Sequence, residues 1–310
     1  DSGRAVPRSW LACTVKISTV RVDCAWRLGH ILVRIPGLRS KRMWLQTRCE
    51  MAFTIEVPTP FILMLRPRSG LQQWIASEEY LINPNVQPFE FTDDYGNLCQ
   101  RLIAPPGDFS VATSARCMTV DTLDEAPGGP FVEVQNLPDS VLKYLLPSRF
   151  SESDRFGNMA REITGDARPG YDQVARIEQW LRSSFEFAPG SSFTSLSAIE
   201  VNQQSTGVCR DFSHLGLALT RALSIPARMV VGYLHGLEPM EMHAWFEAYV
   251  ADRWYAFDAT RPCRSGGYVA IGYGRDAADV AIYNQFGPAV YPRYQRVSVE
   301  VVDAPVSLTR

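Results

Sequence analysis

Gly207-Val208-Cys209-Arg210-Asp211-Phe212-Ser213-His214-Leu215 is the stretch that decides how the chain reads. A small-residue turn leads into a cysteine, then into an apolar-periodic run in which Leu215, Leu217, Leu219 and Leu223 supply contacts and Pro226 ends the element. The pattern predicts a helix opening at Cys209. A sulfur at that point lies beside the unpaired N–H groups of the first turn, where the helix dipole favours thiolate over thiol. Gly207, with no side chain, is expected to leave room for a substrate carbonyl beside the sulfur. Two later residues complete a candidate acyl-transfer site: His243 in His243-Ala-Trp-Phe-Glu-Ala-Tyr249, and Asp258 in Trp254-Tyr-Ala-Phe-Asp-Ala-Thr260.

Residues 228–233, 244–250 and 253–257 read as strands, the last two as a hairpin around Asp252. Antiparallel neighbours place side chains about 5 Å apart, so the hairpin brings His243 to Asp258 across 15 residues. An imidazole so placed can hold the thiol proton and deliver it to a leaving amine, and the carboxylate can fix its tautomer. From spacing alone, a structural thiol remains the alternative.

Upstream, residues 171–185 space Val174, Ile177, Trp180 and Leu181 at helical intervals, which predicts a core-facing helix. Residues 138–146 read as a short helix, Ser151 as a helix cap with Asp154 three residues on, and 190–194 as a loop. Earlier still the period changes to two. Leu45, Thr47, Cys49, Met51, Phe53, Ile55 and Val57 fall on one face of a predicted strand. Residues 61–65, 80–82, 89–91, 98–103 and 109–120 continue the series between turns such as Asp93-Asp94-Tyr95-Gly96-Asn97. Many short strands with frequent turns predict a β-sandwich over 43–130. The expected class is therefore α+β: a sandwich, then a mixed domain over 131–290, then a strand or tail over 291–310 that returns to a sheet.

The 310 residues are 46% apolar and 21% charged, the composition of an ordinary globular chain. A formal net charge of −2 carries no signature of nucleic-acid binding, and no apolar run approaches the roughly 18 residues of a membrane span. Seven scattered cysteines do not resemble a disulfide framework, so reduced thiols and a cytoplasmic location are expected. Charge is uneven: residues 1–42 hold nine Lys/Arg against two Asp/Glu, and the remainder 22 against 31. The basic segment reads as atypical, disordered or non-native, with Met43 as the start.

Several motifs stand in a familiar order. Gly207-Val208-Cys209-Arg210-Asp211-Phe212 is followed by Ile225-Pro226-Ala227-Arg228 with Val231-Gly232-Tyr233, then His243-Ala244-Trp245, then Trp254 and Asp258-Ala259-Thr260. The set resembles the bacterial transglutaminase-like superfamily over roughly residues 150–265, and residues 43–130 resemble the β-rich domain attached to many members. The resemblance implies a papain-like core with Cys209 as nucleophile, His243 as base and acid, and Asp258 as the orienting group. It implies no cofactor, and a peptide or protein substrate.

The Cys209 N–H is the first candidate oxyanion donor. Gln203 and Gln204 are candidates for the second, with the Trp180 indole a weaker one. Other residues have simpler readings. His214 is expected to be buried and hydrogen-bonded, His235 to be a loop residue, and Cys263 to be a packed thiol. Arg210 and Asp211 are expected to make polar contacts at the helix start, and the Arg66-to-Gly70 segment to be an inter-strand loop. A zinc site from Cys209, His214 and His243 lacks any close-spaced ligand pair. The expected activity is hydrolysis of a peptide or isopeptide amide. Amine acyl transfer, a non-catalytic peptide-binding module and arylamine acetyl transfer are the alternatives.

Overall fold

The computed structural model describes residues 41–70, 72–191 and 194–305. The basic segment lies outside the described residues except for Lys41 and Arg42, so the reading of residues 1–40 is untouched. Six strands come first: β1 (Arg42–Ile55), β2 (Thr59–Leu63), β3 (Trp74–Asn83), β4 (Phe89–Thr92), β5 (Leu98–Ala104) and β6 (Gly107–Val120). Helices α1 (Asp139–Leu142), α2 (Gly157–Thr164) and α3 (Tyr171–Ser184) follow, then β7 (Glu186–Phe187), α4 (Ala198–Asn202) and β8 (Thr206–Gly207). Next come α5 (Cys209–Ala222), β9 (Ala227–Leu234), β10 (His243–Val250), β11 (Arg253–Phe257) and β12 (Tyr268–Gly274). β13 (Tyr283–Gln285) and β14 (Tyr294–Val302) are the last of the described strands.

Two four-stranded sheets use the first six strands, in the orders β14-β1-β6-β3 and β13-β2-β5-β4. Each is thus completed by a strand from the far end of the chain. Along β1 the alternation is as the sequence predicts, with Leu45, Thr47, Cys49, Met51, Phe53 and Ile55 all buried. Val57 departs from it at 46% exposed, because the strand ends at Ile55 and the backbone turns away from the pleat. Phe53 of β1 meets Phe61 of β2 at 5.3 Å and Tyr283 of β13 at 5.5 Å between ring centroids, so aromatic rings fill the space between the sheets.

The third sheet, β11-β10-β9-β12, is antiparallel and carries α5 against it. Every residue of β10 is buried. The contact between helix and sheet is close because Gly216 has no side chain: a Cβ there would stand 2.6 Å from the Phe246 ring of β10. Gly232 plays the same part between strands, where a Cβ would meet the Val269 carbonyl oxygen at 2.1 Å. The β10–β11 hairpin turns on Ala251 and Asp252, both left-handed at φ 48° and 61°, the geometry whose twist suits a two-residue turn.

Two local expectations are corrected, and one strand is unforeseen. Ser151 caps no helix: its hydroxyl donates to the His214 carbonyl at 3.3 Å, and α2 opens later, at Gly157. Residues 138–146 are not one helix, since α1 gives way to a 3-10 turn over Lys143–Leu145. β12 has no predicted counterpart, because a strand buried on both faces and rich in glycine shows no alternation.

Gly216→Ala is expected to cost about 1–3 kcal/mol, the usual range for overpacking, and Gly232→Ala more, because its obstacle is backbone and not a ring that can tilt. Urea midpoints of the two variants check the order; a Gly232→Ala midpoint equal to wild type would contradict it.

Candidate functional site

Cys209 is the first residue of α5 and is partly exposed. Val208 has no side-chain oxygen with which to cap the helix. Asp211 does the work in reverse, its Oδ2 accepting the Val208 N–H at 3.1 Å while its own N–H donates to the Val208 carbonyl at 2.9 Å. Asp211 is fully buried, and Arg210 lies against it at 3.7 Å and donates to the Thr194 carbonyl at 2.7 Å. The expectation for Gly207 is corrected here. A Cβ at 207 would press on the Asp211 Cβ at 3.2 Å and lie 3.6 Å from the Phe212 ring, so the missing side chain makes room for the capping carboxylate.

His243 opens β10 and is 1% exposed, and Asp258 lies one residue beyond β11 and is 4% exposed. The β10–β11 register pairs Phe246 with Phe257, which sets His243 and Asp258 as diagonal neighbours on one face. His243 Nε2 stands 2.7 Å from Asp258 Oδ2. Nδ1 is buried and makes no hydrogen bond of ordinary length among the described residues. Burial works against charge on the ring, but the Asp258 carboxylate and then Cys209 outweigh it and lift His243 from 6.5 to about 10.

A buried carboxylate needs partners, and Asp258 has several. Tyr268 of β12 donates its hydroxyl to Oδ2 at 2.8 Å. Thr260 donates to Oδ1 through its N–H at 3.0 Å and its hydroxyl at 2.6 Å. The Asp258 N–H donates to Glu178 Oε1 of α3 at 2.8 Å, and Arg182 donates to the Asp258 carbonyl at 3.3 Å. Glu178 is itself 6% exposed and lies 3.3 Å from Arg182 and 3.4 Å from Arg264. Burial pushes Asp258 up, yet His243, followed by Thr260 and Tyr268, holds it below its ordinary value.

Thr260, Glu178 and Tyr268 were not singled out by sequence. Thr260 two residues after Asp258 has the spacing of an Asx-type turn, a readable signal. Glu178 interrupts the apolar face of α3 between Ile177 and Leu181, and a carboxylate at a core position is a signal too. Tyr268 had none, since its strand was not predicted.

Gln203 is the exposed residue after α4, and Gln204 follows it, also exposed; among the described residues neither hydrogen-bonds Cys209, His243 or Asp258. Trp180 is half-buried, edge-on to Phe185 at 5.5 Å. His214 is fully buried, with Nδ1 2.7 Å from the Leu196 carbonyl, Nε2 accepting from the Ala277 N–H at 3.2 Å, and its ring stacked on Phe150. Burial depresses it to about 4, so it stays neutral. His235 lies in the loop after β9; Cys263 is not packed as expected but exposed, donating to the Ser265 hydroxyl at 3.4 Å. Arg66 is committed to Glu78 and Glu90 and lies over the Tyr80 ring. No group of three or more metal-ligating side chains is clustered among the described residues.

The model of the transglutaminase-like superfamily matches residues 157–259. An uncharacterized protein of Mycobacterium tuberculosis is 30% identical over 70% of this chain and 77% of its own length. Another, from Mycobacterium leprae, is 27% identical over 70% of this chain and 82% of its own. Among solved structures, a candidate cysteine protease from Cytophaga hutchinsonii is 33% identical with a TM-score of 0.78, covering 86% of this chain and 92% of that one.

The two titrations have opposite signs. His243 is raised, so its charged form stabilises the fold fully below about 6.5, and that contribution fades as pH rises through about 10. Asp258 is lowered, so its contribution holds above its ordinary value and is lost as pH falls through the depressed one. Thermal midpoints between pH 6 and 10.5 are expected to decline in wild type and to decline less in His243→Gln; parallel curves would refute the assignment.

Proposed function

The chain belongs to the transglutaminase-like superfamily, with a papain-like core of mixed helices and antiparallel sheet, and from that premise we propose that it is a thiol-dependent hydrolase of peptide or isopeptide amides. The observation that carries the reading is the buried 2.7 Å pair of His243 Nε2 and Asp258 Oδ2, with Nδ1 left for Cys209 at a helix start. The 33% identity to a candidate cysteine protease favours water over an amine as the acceptor. The two sheets built on the first six strands are read as a β-sandwich domain, and the five free cysteines among the described residues are in keeping with a reducing, cytoplasmic setting.

In this reading Cys209 Sγ, as thiolate, attacks the substrate carbonyl carbon while imidazolium Nδ1 holds the proton. The C–N bond breaks as Nδ1 passes that proton to the leaving amine, and a thioester remains. Water then attacks the thioester and gives a proton to Nδ1; the C–S bond breaks and thiolate returns. Asp258 keeps Nε2 protonated and the ring aimed throughout. The oxyanion is held in this reading by the Cys209 N–H at the first helical position and by the side-chain amide of Gln203 or Gln204.

Iodoacetamide labelling, read at Cys209 by peptide mapping because Cys263 is also exposed, tests the site. Wild type is expected to be alkylated at Cys209 readily at neutral pH, and His243→Ala slowly. Cys209→Ala is expected to lose amide turnover. A Cys209 that titrates as an ordinary thiol and ignores His243 would sink the proposal, and product analysis with added amine separates hydrolysis from transfer.

The second donor is tested by Gln203→Ala and Gln204→Ala. Loss of an oxyanion donor costs about 100- to 1,000-fold in kcat with little change in KM. If neither variant shows that loss, the donor lies elsewhere.

A further inference from the structure

Strand β12 is one of the two edges of the core sheet, and such an edge presents a row of backbone groups without a strand partner. It is closed here by side chains from the region before the core. Gln73 donates through Nε2 to the Ala270 carbonyl at 2.8 Å and accepts the Ala270 N–H through Oε1 at 2.7 Å. Asn97 repeats the arrangement at Tyr273, donating at 2.7 Å and accepting at 2.8 Å. Each amide thus stands in for one residue of a missing strand.

The spacing of three between the two is itself informative. An edge strand turns alternate residues outward, so the next outward pair after 270 should be at 272. The bulge between Ala270 and Gly272 adds a residue and moves that pair to Tyr273. The amides therefore fit the edge in one register only.

The chain leading into β12 is gripped as well. Gly266 and Gly267 donate their N–H groups to the carbonyls of Asp121 (2.7 Å) and Val120 (2.9 Å), at the end of β6. The Leu123 N–H donates to the Arg264 carbonyl at 3.0 Å. Thr119 of β6 donates its hydroxyl to the Tyr268 carbonyl at 2.9 Å. Gly266 is packed so closely that a Cβ would lie 2.0 Å from the Val120 oxygen. All of these partners lie between residues 73 and 123. The strand they hold carries the Tyr268 hydroxyl that binds Asp258 Oδ2, the oxygen shared with His243.

We propose that the region before the core is a positioning device for it: the loop residues Gln73 and Asn97, with Thr119 of β6, fix the register of β12, and β12 in turn holds the Tyr268 hydroxyl on Asp258. The proposal rests on the triad reading above, in which Asp258 must stay ionised and aimed. The Tyr268 O–H donates to the charged carboxylate and so favours it over the neutral acid. Without that bond Asp258 takes up a proton at higher pH, the imidazolium loses its partner there, and the acid limb of reactivity moves up.

The test follows Cys209 alkylation and amide turnover against pH in Gln73→Ala, Asn97→Ala, Thr119→Val and Tyr268→Phe, with circular dichroism confirming that each is folded. Tyr268→Phe is expected to move the acid limb upward and to lower kcat about tenfold with KM little changed. Each clamp variant is expected to shift the limb the same way by a smaller amount. Adding Tyr268→Phe to Gln73→Ala should then give less than the sum of the two effects, the mark of residues acting on one contact. Clamp variants that lose thermal stability but keep the wild-type limb and kcat would overturn the proposal, as would additivity with Tyr268→Phe. Failure of the triad reading looks different: wild-type Cys209 would itself ignore His243→Ala, whatever the clamp variants did.

Discussion

The buried hydrogen bond between Asp258 and His243 is the constraint around which the molecule is arranged. An ionised carboxylate away from water is costly unless each of its lone pairs is met. Here the cost is offset from three directions. The Thr260 N–H and the Thr260 hydroxyl take one oxygen, and His243 and Tyr268 share the other, while the Asp258 backbone N–H goes to Glu178 of α3, a second carboxylate whose like charge adds to the cost. Glu178 in turn needs Arg182 and Arg264, and Arg264 reaches the Tyr171 hydroxyl at 2.9 Å and the Ala256 carbonyl at 2.8 Å. One charge thus recruits a helix, a hairpin and an edge strand.

Much of this was legible in the sequence, for identifiable reasons. The α5 start, the hairpin and the period-two strand β1 each follow from a local pattern a few residues long. The ordered motifs pointed to His243 and Asp258 as neighbours, and the hairpin register that pairs Phe246 with Phe257 brings them to 2.7 Å. What was missed depends on contacts between distant segments. β12 is buried on both faces, so no periodicity marks it, and its partners Gln73 and Asn97 lie nearly 200 residues earlier in ordinary loop sequence. Ser151 looked like a cap because a serine followed by an acid usually is one; a buried carbonyl from α5 claimed its hydroxyl instead.

Gly207 shows how a correct observation can carry the wrong cause. A small residue beside the thiol was expected, and one is there. The space it leaves is filled by Asp211, whose carboxylate replaces the cap that Val208 cannot provide. The glycine therefore serves the helix start, and reaches the sulfur only through the position of that first turn.

The order of strands within the first two sheets also governs how the molecule assembles. β14 pairs with β1 from Trp44 opposite Val302 to Ala52 opposite Tyr294, and β13 pairs with β2. Neither sheet is complete until residues beyond 280 have been made. Contacts so distant in sequence close large loops before they return any energy, which slows folding relative to a chain of local contacts. Completion of both sheets is thereby tied to arrival of the last strands, so a chain cut before β13 would leave β1 and β2 each with one neighbour missing.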